Sequence, residues 1–294
     1  MQPLLHPKVT EQLETVLANP SSAYIFYGSS HIGKSATTGW LAQRFNCKGD
    51  ETGKCANCRA IASGNYPDFV RVTPDGQSIG ISQIHELQET MSLMRYYQAG
   101  RRVVVIEQAD KLTIEAQNSL LKLLEEPPEK TTLILVTDQL MALLPTIRSR
   151  CQAVHFANPD LRSTQDFLSK HLGLPGNQVE ELIQLSEGKL GLAISLSQDA
   201  DALELRRRTA ADCKASLDAK PFQRLLTAAK LSESPEQAVI FIESLTDELR
   251  HRLRQSDGHE NRWSQALEAV ERFERWRAAN VGLKPALEGL LLEL

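Results

Sequence analysis

The sequence predicts an α/β domain with a mostly parallel sheet, followed by a small helical lid and an all-α C-terminal bundle. Short apolar runs alternate with helical patterns from about Ala23 to Phe156, which is typical of strands covered on both faces. One loop in this region, Gly28–Ser35, has the full phosphate-loop pattern. From about Asn158 onward, helical spacing replaces the strand pattern. We expect a core over residues 1–157, a lid over 158–202 and a bundle over 203–294.

The phosphate loop reads Gly-Ser-Ser-His-Ile-Gly-Lys-Ser and lies between an apolar run, Ala23–Tyr27, and a helical pattern, Ala36–Phe45. In such loops, backbone N–H groups converge on phosphate oxygens, the lysine reaches the terminal phosphates and the serine binds Mg²⁺. The following helix adds its positive N-terminal end. The pattern therefore predicts binding of ATP with Mg²⁺, and a chance glycine-rich connection is the alternative. The predicted binding residues are Gly28, Gly33, Lys34 and Ser35.

The remaining core elements are predicted from apolar runs and helical periodicity. A helix over Thr113–Glu125 has Thr113 as its N-cap and ends before Pro127. Another helix is predicted over Ser82–Tyr96. The predicted strands are Tyr24–Tyr27, Phe69–Val72, Val103–Ile106 and Leu133–Thr137.

A phosphate-loop ATPase also needs carboxylates near the end of a neighbouring strand, one for Mg²⁺ and one for the attacking water. Here Glu107 stands in the first position, one methylene longer than the usual aspartate, and Gln108 in the second, where it cannot act as a base. Thr137 completes the predicted nucleotide site. The pattern favours nucleotide binding over efficient hydrolysis, unless Asp110 replaces the missing base.

Composition excludes several classes of protein. The 294 residues carry a net charge of −4, which argues against coating nucleic acid by bulk electrostatics. No run of about 18 apolar residues is present, so no membrane span is expected. The N-terminal residues lack the pattern of a secretion signal, and we expect a cytoplasmic protein.

Three of the five cysteines are close in sequence. Cys55 and Cys58 have the spacing with which two thiolates hold one tetrahedral Zn²⁺, and Cys47 lies nearby in the same inserted loop, about residues 46–65. The sequence predicts a zinc site, with three free thiols as the alternative. Cys151 and Cys213 are distant and are expected to be small buried residues.

Four segments together resemble one family, the bacterial clamp-loader subunits of the AAA+ type. The resemblance covers about the first 160 residues and is weaker near the end, at Leu283–Glu288. The segments are the phosphate loop, Cys55–Cys58 with Gly64–Phe69, Asn118–Pro128 and Leu144–Cys151.

Within that family the chain departs from the motor (gamma/tau) subunits. A motor would carry Asp-Glu where this chain has Glu107 and Gln108, and an arginine where this chain has Gly191. Both departures favour the delta-prime type. The alternatives are an autonomous AAA+ ATPase such as the gamma/tau motor, or a small-molecule phosphotransferase, which would give two of the four segments no role.

The resemblance implies further features. Arg150 matches the arginine finger that reaches a neighbouring subunit's ATP site. Without the resemblance, Arg150 would be interpreted as a residue of a surface ion pair. A four-cysteine zinc module is implied, but Ile61 stands at the fourth position, so that Asp50, Glu51 or a water would complete the shell.

The implied partners are the motor and delta subunits, a sliding clamp and primer–template DNA, in a hetero-oligomer, a pentamer, held by a C-terminal collar. The apolar stripes of the C-terminal helices are in the first place packing faces. The basic residues of the core form no dense run, so no DNA contact is predicted. They are Arg95, Arg101, Arg102, Lys111 and Lys122.

Overall fold

A computed structural model describes residues 3–49, 53–92, 100–255, 259–279 and 281–294. The chain divides into two compact units. The first contains Met1–Ile183 and Gly188–Leu192, and the second contains Gln184–Glu187 and Ala193–Leu294. The predicted three-part division at about residues 157 and 202 stays a prediction.

The first unit is built on a five-stranded sheet in which all neighbouring strands are parallel, in the order β2-β3-β4-β1-β5. This confirms the predicted fold class. The strands are β1 (Ala23–Tyr27), β2 (Phe69–Val72), β3 (Arg102–Ile106), β4 (Thr131–Thr137) and β5 (Gln152–His155).

Alternate residues of each strand face opposite sides of the sheet, as the period of two requires. Tyr24 and Phe26 pack into one apolar cluster, and Ile25 packs into the other. Helices cover both clusters, so that β3 and β4 are buried along their whole length. β5 lies outside the predicted strands because it is an edge strand, buried only at Val154, and has no apolar run.

The helices that the sequence predicts in this part of the chain are present in its described residues. α5 begins after Thr113, whose hydroxyl accepts a hydrogen bond from Ala116 N. α4 ends at Ser92 in the described residues, and the predicted continuation to Tyr96 lies outside them. The helices are α1 (Pro7–Ala18), α2 (Lys34–Asn46), α3 (Ala56–Ala62), α4 (Ile81–Ser92), α5 (Ile114–Glu125), α6 (Pro145–Arg148), α7 (Leu161–Leu172), α8 (Gly176–Ser186) and α9 (Leu190–Gln198).

In the described residues of the second unit, helices are the only regular secondary structure. Its core includes Phe241, Trp263 and Leu287, and the predicted apolar stripes supply most of the buried residues. In the described parts of both units, no helix combines the length and the apolar character needed to cross a bilayer. The helices are α10 (Ala200–Leu217), α11 (Pro221–Ser232), α12 (Pro235–Gln255), α13 (Glu260–Ala278) and α14 (Leu283–Leu292).

Candidate functional site

The phosphate loop connects the end of β1 to the start of α2, and two glycines make its path feasible. Gly28 has a φ of +141°, and a Cβ there would lie 2.2 Å from the Phe156 carbonyl oxygen. Gly33 has a φ of +91° and precedes the first residue of α2. A side chain at either position would be strained, so the loop depends on both glycines.

Lys34 is the first residue of α2 and its side chain is only 5% exposed. Its ammonium group donates to the carbonyl oxygens of Gly28, at 2.7 Å, and Ser29, at 2.5 Å. It also forms an ion pair with Asp138, with 2.7 Å between Nζ and Oδ1. These three partners satisfy a buried charge, and a phosphate would have to replace at least the carboxylate.

Ser35 and Glu107 are brought together although they are distant in sequence. The Ser35 hydroxyl donates to Glu107 Oε2 at 2.6 Å. The other carboxylate oxygen, Oε1, is buried and has no hydrogen-bond partner among the described residues. Arg71 lies on the side of this oxygen, with Nη1 3.7 Å from Oε1. A hydroxyl and a carboxylate at one point are the donor types that Mg²⁺ prefers.

The second carboxylate position remains occupied by an amide. Gln108 is exposed and has a φ of +50°, directly after Glu107. The alternative base, Asp110, is engaged through Oδ1, which accepts from the Thr137 hydroxyl at 2.8 Å and from Asp138 N at 3.4 Å. These contacts place Thr137 at the predicted end of the sheet, in a network beside the phosphate loop.

Gly191 lies against the phosphate loop itself. Its N–H donates to the His31 carbonyl oxygen at 2.8 Å, and an added Cβ would lie 2.5 Å from that oxygen. Gly191 belongs to the first turn of α9, so this helix begins in direct contact with the loop. The glycine therefore allows a close backbone approach that a larger residue would prevent.

Arg150 follows α6 and is held at a different place from the phosphate loop residues. Its Nη2 donates to Glu125 Oε1 at 2.6 Å, and Nη1 donates to the Thr146 carbonyl oxygen at 3.1 Å. The side chain is 38% exposed. An exposed guanidinium held by one exposed carboxylate costs little to detach, because such pairs contribute about 0–1 kcal/mol.

The structure brings together all three cysteines of the predicted zinc site. The Sγ atoms of Cys47, Cys55 and Cys58 lie within 4.8 Å of one another, and those of Cys55 and Cys58 are 3.3 Å apart. Hydrogen bonds, first from Cys58 N and then from Lys48 N, lower the pKa of Cys55 to about 7. Burial raises the pKa of the Cys58 thiol to about 12.

Ile61, at the expected fourth position, is buried in the apolar cluster beside the sheet, so it packs rather than coordinates. The other fourth-ligand candidates, Asp50 and Glu51, lie outside the described residues.

Two of the basic residues have structural partners. Arg101 donates to the Thr132 hydroxyl at 2.6 Å. Arg102 is buried and pairs with Asp68, with Nε 3.1 Å from Oδ1. Lys111 and Lys122 are exposed, and Arg95 lies outside the described residues.

Sequence reasoning missed Arg71 and Asp138. Asp138 directly follows the predicted strand that ends at Thr137, and Arg71 interrupts an apolar strand. Because the carboxyl ends of parallel strands meet at one edge of a sheet, the positions of these two charged residues could have predicted that they lie near the phosphate loop and Glu107.

A family model described as "DNA polymerase III, delta subunit" matches residues 5–160, more than half of the 294-residue chain. DNA polymerase III subunit delta' of Bacillus subtilis (strain 168) is 34% identical over 69% of the chain, and that of Pseudomonas aeruginosa is 35% identical over 58%. The chain spans 63% and 54% of the length of these two relatives. The tau subunit of Escherichia coli (strain K12) is 30% identical over 65% of the chain and 32% of its own length.

A solved structure of a DNA polymerase III gamma subunit-related protein from Thermotoga maritima covers 96% of this chain and 96% of its own, with a TM-score of 0.53. The two are 19% identical, so this likeness concerns the fold alone.

Proposed function

The chain belongs to the family described as DNA polymerase III, delta subunit, and we propose that it acts as a delta-prime-like subunit of a clamp loader. The observation that carries this proposal is the family match over residues 5–160, which includes both the phosphate loop and the Ser149-Arg150-Cys151 element. The proposed role is to help load a sliding clamp onto primed DNA. The motor alternative is less favoured, because relatives called delta' reach 34–35% identity, against 30% for tau.

The proposed partners are the motor (gamma/tau) and delta subunits, the sliding clamp and primer–template DNA. The test is to mix the chain with the motor and delta subunits of the same organism, and to measure complex formation and clamp loading on primed DNA. Formation of a complex that loads the clamp only when this chain is present is the expected result. A loading complex that forms equally well without the chain would contradict the proposal.

We further propose that Arg150 acts in a neighbouring subunit's ATP site. Its support is the family motif together with its exposure and its single-carboxylate anchorage on Glu125. A guanidinium supplied by a neighbour stabilises charge on the transferred phosphoryl group, worth about 10³–10⁵ in rate. Arg150→Ala should leave this chain folded and strongly reduce ATP turnover by the assembled complex.

A matched control separates this role from the loss of the ion pair. Glu125→Ala removes the same contact and keeps the guanidinium, so the complex that carries it should retain its ATP turnover. Equal losses in both variants, or unchanged turnover with Arg150→Ala, would remove Arg150 from the mechanism.

The chain's own phosphate loop is proposed to bind nucleotide and to hydrolyse it weakly. Lys34 and the loop N–H groups would hold the phosphates, and Ser35 with Glu107 would hold Mg²⁺, which supplies charge neutralisation when bound. Weak hydrolysis is supported by the amide at Gln108 and by the engagement of Asp110 with Thr137. The isolated chain should bind ATP, Lys34→Ala should not, and rapid ATP turnover by the isolated chain would contradict the proposal.

The cysteine cluster is proposed to bind zinc. Three thiol sulfurs within 4.8 Å of one another fit a tetrahedral ion with Zn–S bonds of about 2.3 Å. Metal analysis of the purified chain should find about one equivalent of zinc, lost in Cys55→Ser and retained in the control Cys151→Ser. Zinc far below one equivalent in the unaltered chain would reject the site.

A further inference from the structure

The candidate metal carboxylate faces a cation of the chain itself. We propose that Arg71 partly balances the charge of Glu107 and so weakens the hold of Ser35 and Glu107 on Mg²⁺, with the result that nucleotide binding at this site depends little on the metal. The inference rests on the nucleotide binding proposed above and concerns its metal requirement.

Arg71 is held at this point by three neighbouring elements. It is the third residue of β2 and lies opposite Val105 of β3, two residues before Glu107. Its guanidinium carbon is 4.9 Å from the centre of the Phe69 ring. Nη2 approaches α2 at Gly39, where an added Cβ would lie 3.4 Å away. Ring and helix lie beside the guanidinium, whose Nη1 is 3.7 Å from Glu107 Oε1.

The Glu107 carboxylate has one oxygen on which a nearby positive charge can act. Oε2 is already bound to the Ser35 hydroxyl, while the buried Oε1 has no hydrogen-bond partner among the described residues. An uncompensated carboxylate here would strongly attract Mg²⁺, because the group is only 13% exposed. Arg71 supplies a positive charge on the side of Oε1, which weakens the attraction for a second, divalent charge.

The screening of Arg71 sets the size of the effect. The Arg71 side chain is 44% exposed, so solvent screens its charge. Arg71 should therefore lower the affinity of the site for Mg²⁺ several-fold rather than by many orders of magnitude. The groups that would hold phosphate without metal are Lys34 and the N–H groups at the start of α2. Nucleotide affinity can therefore persist when the metal is removed.

The test is a titration of the full chain with the fluorescent nucleotide mant-ATP, at constant ionic strength, in excess MgCl₂ and in excess EDTA. The dissociation constants of the unaltered chain should differ by less than about threefold between the two buffers. Arg71→Gln should raise this ratio to about tenfold, with tighter binding in Mg²⁺. Circular dichroism checks that the variant is folded.

Two variants serve as controls. Arg71→Lys keeps the charge and should keep the low ratio. Arg44→Gln removes an exposed arginine from the last turn of α2, the helix that Arg71 approaches, and should also leave the ratio unchanged.

The outcomes separate this inference from the function it rests on. Binding by the unaltered chain that is tenfold or more tighter in Mg²⁺ overturns the inference and leaves nucleotide binding intact. An unchanged ratio in Arg71→Gln also overturns it. Absence of binding in both buffers overturns the proposed nucleotide binding and the inference with it. If Arg71→Gln does not fold, the ratios of the unaltered chain and of Arg71→Lys still decide.

Discussion

Replacement of Gly191 by alanine should destabilise the first unit, although helix propensity alone predicts the opposite. Gly191 lies in the first turn of α9, where alanine is usually favoured over glycine by up to about 1 kcal/mol. In this structure the new Cβ would lie 2.5 Å from the His31 carbonyl oxygen and 3.1 Å from the carbonyl carbon. Both are backbone atoms of the phosphate loop and cannot rotate away.

The magnitude follows from three contributions. Overpacking at a rigid contact costs about 1–3 kcal/mol. Separation of the two backbones also weakens the 2.8 Å hydrogen bond from Gly191 N to His31 O, worth about 0.5–1.5 kcal/mol. The gain in helix propensity offsets less than about 1 kcal/mol. The net loss in the free energy of unfolding should therefore lie between about 0.5 and about 4.5 kcal/mol.

Amide hydrogen exchange followed by mass spectrometry locates the effect, and urea unfolding measures its size. Peptides that cover residues 28–35 and 188–198 should exchange faster in the variant, because the contact that closes the loop is weakened. Gly176→Ala is the matched control, since it changes the first residue of α8 and its Cβ would meet no atom within 4 Å. If Gly191→Ala is as stable and as protected as Gly176→Ala, the steric argument is refuted.

Three further predictions test other contacts. Gly289→Ala should lower the unfolding temperature of the second unit, because its Cβ would lie 2.7 Å from the Trp276 ring; an unchanged calorimetric transition would contradict this. Asp68→Ala should cost about 3–5 kcal/mol in urea unfolding, since it leaves the buried Arg102 without its carboxylate; a loss below about 1 kcal/mol would count against it. In metal-free protein, Cys55 should react with iodoacetamide increasingly as pH rises through its pKa of about 7, because only the thiolate attacks. Peptide mass spectrometry should find slower labelling at the three cysteines whose pKa burial raises to about 12, and equal labelling would refute the prediction. They are Cys58, Cys151 and Cys213.

The elements that could be predicted are those whose burial leaves a local pattern. β3 and β4 each contain an unbroken apolar run, residues 103–106 and 133–136, because both faces of the sheet are covered, and α5 carries its own cap at Thr113. β5 escapes prediction because only one of its four residues is buried. Two of the basic residues considered for DNA contact, Arg101 and Arg102, instead have partners in the folded chain, which no local pattern indicates.

The phosphate loop and its missing second carboxylate are already evident in the order of the residues. The glycines, the lysine and the serine act through backbone geometry over eight residues, and an amide at Gln108 cannot become a base in any fold. Three contacts appear only in the folded chain: Asp138 pairs with Lys34, Arg71 faces Glu107, and Gly191 donates to His31. These partners come from separate strands and helices, and the strand order that brings them to one edge depends on the packing of the whole sheet.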